Sequence, residues 1–405
     1  ANNTLNASDV ISMGNGTDTL NITFETATSA AMPSASISGV EVFNIKNVSG
    51  QTLALNMASI DGVTTLNSNM STDIVNITNI ASGATGAVTG NGVVTNGATS
   101  FGYVAAATSS TVNIAGGTTA GAITVTGTGI LAETYTSTGA ANTTGLITNA
   151  ASTTGVTIDA TTNLTATMTG TAVASLTVTG AGNVDLNGGT LDASIITVNA
   201  SAASGDVDLI IGNVATATDP GTVDIADVTV TGGSGDDDIS FAGIDAGDDI
   251  NVNAGAGDDT VTVDEVVETS SATVSGDVIV GGDGTDILAV TTAVANAQTA
   301  TTTVSGFEEL TITNASVTGG VDVANFQAGL NVVNLAAGGV AELTMEAGAN
   351  TVNLIAPLTG TLALTDTGTA TSDSVTIVNE DEAADAFAAQ TITSIDNDAP
   401  VFTST

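Results

Sequence analysis

Short runs that alternate apolar and polar residues recur along this chain. Leu176-Thr177-Val178-Thr179, Val184-Asp185-Leu186, Ile195-Ile196-Thr197-Val198, Val207-Asp208-Leu209-Ile210, Val223-Asp224-Ile225 and Val228-Thr229-Val230-Thr231 are typical. Their period of two and their β-branched residues predict strands with one face inward and one in solvent. The runs begin about 10 residues apart, and Thr177-Val178 has a match 20 residues on in Thr197-Val198. Two short strands per coil of a parallel β-solenoid would give that spacing. A β-sandwich with a turn every ~8 to 12 residues fits too, and stays open for the first half.

Three of the strand-like runs follow directly on an acidic glycine turn. Gly232-Gly233-Ser234-Gly235-Asp236-Asp237 precedes Asp238-Ile239-Ser240-Phe241. Ala254-Gly255-Ala256-Gly257-Asp258-Asp259 precedes Thr260-Val261-Thr262-Val263, and Gly281-Gly282-Asp283-Gly284-Thr285-Asp286 precedes Ile287-Leu288-Ala289-Val290. The first positions of these turns lie 22 and 27 residues apart, so in a solenoid the turns would stack in a column. Glycine permits the tight backbone and turns carbonyl oxygens inward, while aspartate adds carboxylates; ligands that are all oxygen suit calcium. The candidate metal-ligating residues are Gly232, Ser234, Asp236 and Asp237 in the first turn, Ala254, Ala256, Asp258 and Asp259 in the second, and Gly281, Asp283 and Asp286 in the third.

Composition changes the functional picture more than the structural one. The 405 residues include no Cys, no His and one basic residue, Lys46, against 42 carboxylates, for a net charge of -41. Side chains that usually act as nucleophile, general base or transition-metal ligand are almost wholly missing, which argues against an enzyme. Nucleic acid and anionic membranes are disfavoured, since both are bound through Lys and Arg. Twenty-one of the carboxylates lie between Asp206 and Glu309, and only four, Glu133, Asp159, Asp185 and Asp192, lie between residues 101 and 200. Adjacent carboxylates such as Asp236-Asp237-Asp238, Asp248-Asp249 and Asp258-Asp259 repel one another, and divalent cations would relieve that repulsion. The run Glu380-Asp381-Glu382 with Asp385 reads instead as a solvated face.

The turns resemble the RTX nonapeptide, glycine-glycine-x-glycine-x-aspartate-x-apolar-x. Gly232 to Ser240 matches every fixed position, Ala254 to Thr262 replaces the first glycine, and Gly281 to Ala289 puts Leu288 in the apolar slot. The copies are not tandem, which departs from a long regular β-roll. A larger repeat spans the chain. Gly14-Asn15-Gly16-Thr17-Asp18-Thr19-Leu20-Asn21-Ile22 and the later Ile37-Ser38-Gly39-Val40-Glu41-Val42-Phe43 parallel Gly282 to Val290 and Val304-Ser305-Gly306-Phe307-Glu308-Glu309-Leu310. This grammar resembles bacterial surface-layer proteins of the RTX type. The resemblance implies that Asp18 is equivalent to Asp286 as a candidate ligand, that several Ca2+ ions bind, and that the protein leaves a bacterial cell by type I secretion and assembles laterally on its surface. Attachment to cell-surface polysaccharide would then use regions outside this chain. Ile395-Asp396-Asn397-Asp398-Ala399-Pro400-Val401-Phe402 resembles a cadherin-like linker, and the chain opens without Met or a signal peptide, as a processed piece of a longer secreted protein would.

The expected architecture is all-β: a parallel β-solenoid or β-roll with calcium-binding glycine-aspartate turns, a β-sandwich-like section remaining as the alternative. Its expected parts are an N-terminal β-repeat region (1–160), an acidic calcium-binding solenoid (161–312), a C-terminal β-repeat region (313–394) and the start of a cadherin-like linker (395–405). The expected function is an extracellular structural protein that self-assembles with calcium into a lattice or filament, without inserting in a membrane. A stalk fragment of a calcium-dependent RTX adhesin is the alternative. An ice-binding solenoid, suggested by pairs such as Thr124-Val125-Thr126 and Thr311-Ile312-Thr313, ranks below both, because the pairs keep no single period.

Overall fold

The computed structural model describes residues 8–25, 35–119, 121–212, 228–244, 248–268, 276–314, 320–336, 342–346, 348–356, 362–366, 374–379 and 392–394. The run Val223-Asp224-Ile225, the acidic stretch Glu380-Asp381-Glu382 with Asp385, and the linker-like segment 395–405 lie outside the described residues.

The chain divides into two compact units, Ala1–Leu209 and Ile210–Thr405. In the first, alternate strands form two sheets. One sheet runs Thr19–Phe24, Val42–Asn47, Thr65–Asn69, Thr85–Thr89, Ser109–Ala115, Ala132–Thr138, Gly155–Ala160, Ser175–Gly180 and Thr197–Ala203. The other runs Leu53–Asn56, Val75–Ile80, Thr99–Tyr103, Ile123–Thr126, Asn142–Thr148, Leu164–Thr169 and Val184–Leu191. Neighbouring strands pair in parallel, with Thr19 opposite Val42 and Gly155 opposite Ser175, so each coil takes 20 or a few more residues. All pairs among the described residues of this unit are parallel, which identifies it as a β-solenoid and removes the antiparallel sandwich from the first half.

Register explains the small-residue composition. One interior column stacks Phe43, Leu66, Gly86, Val112, Tyr135, Ile158 and Val178, one residue per coil. Gly86 leaves the room that Phe101 of the other sheet fills: a Cβ there would lie 2.8 Å from the Phe101 ring. A thin two-sheet interior has space for one large side chain at such a level, so its partner must be small. The outward Thr-x-Thr pairs do not stack on one another. Thr124 and Thr126 lie beside Ser100 and Gly102, Thr177 and Thr179 beside Thr157 and Asp159, and Thr229 and Thr231 beside Asn251 and Asn253.

One run that reads as a strand is partly a corner. Ile195 donates its backbone N–H to Asp192 O across a turn, Ile196 is half exposed, and the strand begins at Thr197. The first unit also buries a carboxylate, Glu133, at 1% exposure. Its Oε2 accepts from the Tyr135 hydroxyl (2.5 Å), and its Oε1 accepts from Ala150 N (2.7 Å) and the Thr153 hydroxyl (2.6 Å), so the protein itself satisfies both oxygens. Burial beside Glu133 raises the Tyr135 hydroxyl well above the usual tyrosine range, keeping it a donor.

The second unit continues the same construction with more elements per coil. Val228–Thr231, Ile250–Ala256, Val278–Asp283 and Val304–Ser305 form one parallel sheet. Asp238–Ala242, Thr260–Val263, Ile287–Val290, Glu309–Ile312, Val332–Leu335, Ala349–Leu354 and Ser374–Asn379 form the second. A third contains Gly320–Asp322, Glu342–Met345, Leu362–Asp366 and Ile392–Ser394. Helix is confined, among the described residues, to Thr292–Ala297 and a single 3-10 turn at Val323–Asn325. No helix of the described residues is long and apolar enough to cross a membrane.

Candidate metal centre

The three glycine turns sit at one corner of the second unit, one per coil, each passing from a strand of the first sheet to a strand of the second. Stacking places Gly255 beside Gly282 and Ala256 beside Asp283 across adjacent coils. Backbone bonds then tie turn to turn: Ala256 N donates to Gly233 O (3.1 Å), Gly257 N to Asp283 O (3.0 Å), and Gly232 N to Asn253 O (2.8 Å). The coils approach so closely that a Cβ on Gly284, whose φ is +149°, would lie 1.8 Å from Gly257 O. Only glycine fits such an approach, which is why the turn repeats it at the same slot.

The aspartates separate into two columns. On the outside, Asp258 N donates to Asp236 Oδ1 (2.8 Å) and Thr285 N to Asp258 Oδ1 (2.8 Å), and Asp236, Asp258 and Asp283 are exposed. On the inside, Asp237, Asp259 and Asp286 are buried at 2, 0 and 0% exposure. Asp237 N donates to Asp259 Oδ1 (2.8 Å), Asp259 N to Asp286 Oδ1 (2.9 Å), and Asp286 N to Glu308 Oε2 (2.8 Å). Asp237 Oδ2 also accepts from Gly233 N (2.8 Å). Asp259 and Asp286 thus each spend one carboxylate oxygen on the coil before them. The second oxygen of Asp259 and of Asp286 is buried with no hydrogen-bond partner.

The same arrangement recurs in the first unit around Asp18. Its N–H donates to Glu41 Oε2 (2.8 Å), its carbonyl accepts from Glu41 N (3.1 Å) and Val42 N (3.0 Å), and its Oδ2 is buried without a partner. Asp286 repeats each of these contacts with Glu308 and Glu309, its carbonyl accepting at 3.0 and 3.1 Å. Glu41 and Glu308 lie outside the ligand set that the glycine turns suggest, although the Ser-Gly-apolar-Glu turn that carries them is readable in the sequence.

Burial without a basic partner raises two of the inner carboxyls, Asp259 and Asp286. Desolvation pushes Asp259 up to about 6, partly offset by the Asp237 N–H and reinforced by Asp286, Asp236 and Asp258. Asp286 is raised for the same first reason, with Glu308, Asp258 and Asp283 adding to it. An orphaned, buried, anionic oxygen with carbonyls close by is the environment a hard cation suits. Among the described residues, no group of three or more acidic side chains is drawn together tightly enough to hold one ion alone. A cation in this column would therefore take carboxylates from one or two coils and complete its shell with carbonyl and water oxygens. Of the residues chosen from sequence, Ser234 is exposed, and the carbonyls of Ala254 and Asp283 face the neighbouring coil, with Ala254 O pressed against Gly232 and Asp283 O bonded to Gly257 N.

Comparison with protein-family models, curated proteins and solved structures finds no match.

A pH dependence follows from Asp259 and Asp286. In the unfolded chain these carboxyls ionise near pH ~4, and in the fold later, at about 6 for Asp259, so the folded state holds protons the unfolded state has lost. Their stabilising contribution is complete below pH ~4 and is lost as pH rises through about 6. Without metal, the thermal midpoint of the second unit is expected to rise as pH falls from 7 toward 5; calorimetry across that range in a chelating buffer would show it, and a flat or opposite trend would contradict the burial argument.

Proposed function

We propose that this chain is an extracellular structural protein whose acidic coils take up calcium and which then assembles with copies of itself into a surface layer or filament. The observation that carries this reading is the recurrence of one arrangement, a buried aspartate oxygen without a partner, at Asp18, Asp259 and Asp286. The resemblance of the turns to RTX surface-layer repeats supports it independently of geometry. Oxygen-only ligands in exposed modules typically bind calcium with Kd of about 10⁻⁴ to 10⁻³ M, so they fill outside a cell and stay empty within one. Calcium would remove repulsion within the stacked turns, order the coils, and leave strand edges or solenoid ends to meet in neighbouring copies.

Electron microscopy of the protein before and after millimolar calcium tests the assembly step. Ordered sheets or filaments that disperse on chelation are expected. Single rods that gain order from calcium without associating would favour the stalk of a surface adhesin, and shaped ice crystals at low protein concentration would favour an ice-binding role.

A further inference from the structure

A second group of acidic side chains lies away from the aspartate column, where the coils turn between the second sheet and the first. Asp248 and Asp249 precede the strand Ile250–Ala256, Asp277 precedes Val278–Asp283, and Asp264, Glu265 and Glu268 lie in the loop after Thr260–Val263. Asp277 joins them. Its Oδ1 accepts from Ile250 N (2.9 Å), its Oδ2 accepts from Glu268 N (2.7 Å), and its own N–H donates to Glu268 O (3.1 Å). The loop is held from the other side by Gln298, which accepts from Val267 N and donates to Val267 O, both at 2.9 Å.

Glu265 is the anomaly in this loop. It is 8% exposed, and both of its carboxylate oxygens are buried with no hydrogen-bond partner. The only basic side chain of the protein, Lys46, belongs to the strand Val42–Asn47 of the first unit and forms no part of this loop. We propose that Glu265 and Asp277 form a calcium site beside Asp248, with backbone carbonyl and water oxygens completing the shell. The proposal rests on the reading of the acidic coils as calcium-binding, but on side chains none of which belongs to the column of Asp237, Asp259 and Asp286.

Two alternatives for a buried carboxylate are weaker. Glu133 shows what a self-sufficient one looks like, with three donors on its two oxygens; Glu265 has none. A proton would neutralise Glu265, and burial among Asp277, Asp248, Glu268 and Asp264 does push its carboxyl up to about 9. A protonated acid, however, gains a buried hydroxyl donor that itself needs an acceptor, whereas a cation occupies both oxygens at once. Asp277 retains ligating capacity, because a carboxylate offers about four lone-pair directions and two are used by N–H groups.

The test counts ions. Calcium binding to the full chain is measured by equilibrium dialysis and calorimetry, for the natural sequence and for Glu265→Gln and Asp277→Asn, with circular dichroism confirming that each variant folds. One calcium fewer in both variants, with the sites of the aspartate column retained, is the expected result. An unchanged count in a folded Glu265→Gln variant overturns this site while leaving calcium binding by the column intact. No binding by the natural sequence overturns both. If Glu265→Gln fails to fold, the folded Asp277→Asn variant decides alone, through the loss of one ion or its retention.

Discussion

Calcium at about 10 mM is expected to raise the unfolding temperature of the natural protein and to leave that of Asp259→Asn or Asp286→Asn much less changed. A ligand that binds only the native state adds RT ln(1 + [L]/Kd), which is about 1.4 to 2.7 kcal/mol per site for a concentration ~10 to 100 times Kd. In a unit of this size each kcal/mol moves the midpoint by roughly 2–4 °C, so each filled site is worth about 3–10 °C. The variants have a second signature. Asp259 is buried and raised to about 6, so its replacement by a neutral amide removes a charge the metal-free fold disfavours. The metal-free variant should be as stable as the natural chain or more so, while its response to calcium falls. Asp18→Asn gives the matching experiment in the first unit, where the orphaned oxygen has the same surroundings. Scanning calorimetry with and without calcium checks both halves, and an equal calcium response in all of these proteins would remove the column from the mechanism.

Alanine at Gly284 should cost about 3 kcal/mol or more, with or without calcium. Its new Cβ would meet Gly257 O at 1.8 Å, and the φ of +149° is itself unfavourable for any L side chain. Backbone on both sides of the contact is tied into parallel ladders, so little can give way. Gly16 occupies the same slot of the repeat in the first unit, with a φ of +131° but nothing within 4 Å of its Cβ position. There alanine meets only the backbone strain, roughly 1 kcal/mol. Gly14, which has open space and no such φ, should tolerate alanine within about 0.5 kcal/mol. Urea unfolding of the three variants orders them, and equal losses at Gly284 and Gly16 would show that close stacking of the turns is not what the glycine serves.

The solenoid was legible because its causes are local and repeat. Alternation at Leu176 to Thr179 and a spacing near 20 residues point to stacked coils, although the register there is 22 residues, with Leu176 beside Val198, and the Thr177-Val178 echo at Thr197-Val198 is not itself a stacked pair; the glycine-aspartate turns mark a corner in three coils of the second unit. The misread strand start at Ile195 has an equally local origin, since two adjacent isoleucines look apolar whether one is buried in a turn or, as with Ile196, left half exposed. The site was legible only in part. Asp237, Asp259 and Asp286 announce themselves beside glycines, but the division into a buried and an exposed column depends on which residue of each pair faces inward. Glu308 and Glu41 enter from a turn a full coil away, where a lone glutamate reads as surface. Glu265 sits in Asp264-Glu265-Val266-Val267-Glu268, a run that looks solvated until Asp277 and Gln298 close over its loop from other coils. Glu133 is the same lesson reversed: one of four sparse carboxylates in its region, it is buried because Tyr135, Ala150 and Thr153 converge on it.

The inner column has a direction. Asp237 finds the acceptor for its N–H in Asp259, Asp259 in Asp286, and Asp286 in Glu308, so each turn is completed by the coil that follows it in sequence. Growth of this stack is therefore not symmetric between its two ends. A chain delivered C-terminal end first would present each arriving turn with a finished acceptor, and the stack would advance one coil at a time toward the N-terminus. Delivered from the other end, every turn would wait with a buried donor unanswered until the next coil arrived. Order of emergence thus becomes a kinetic variable written into the side chains of one corner.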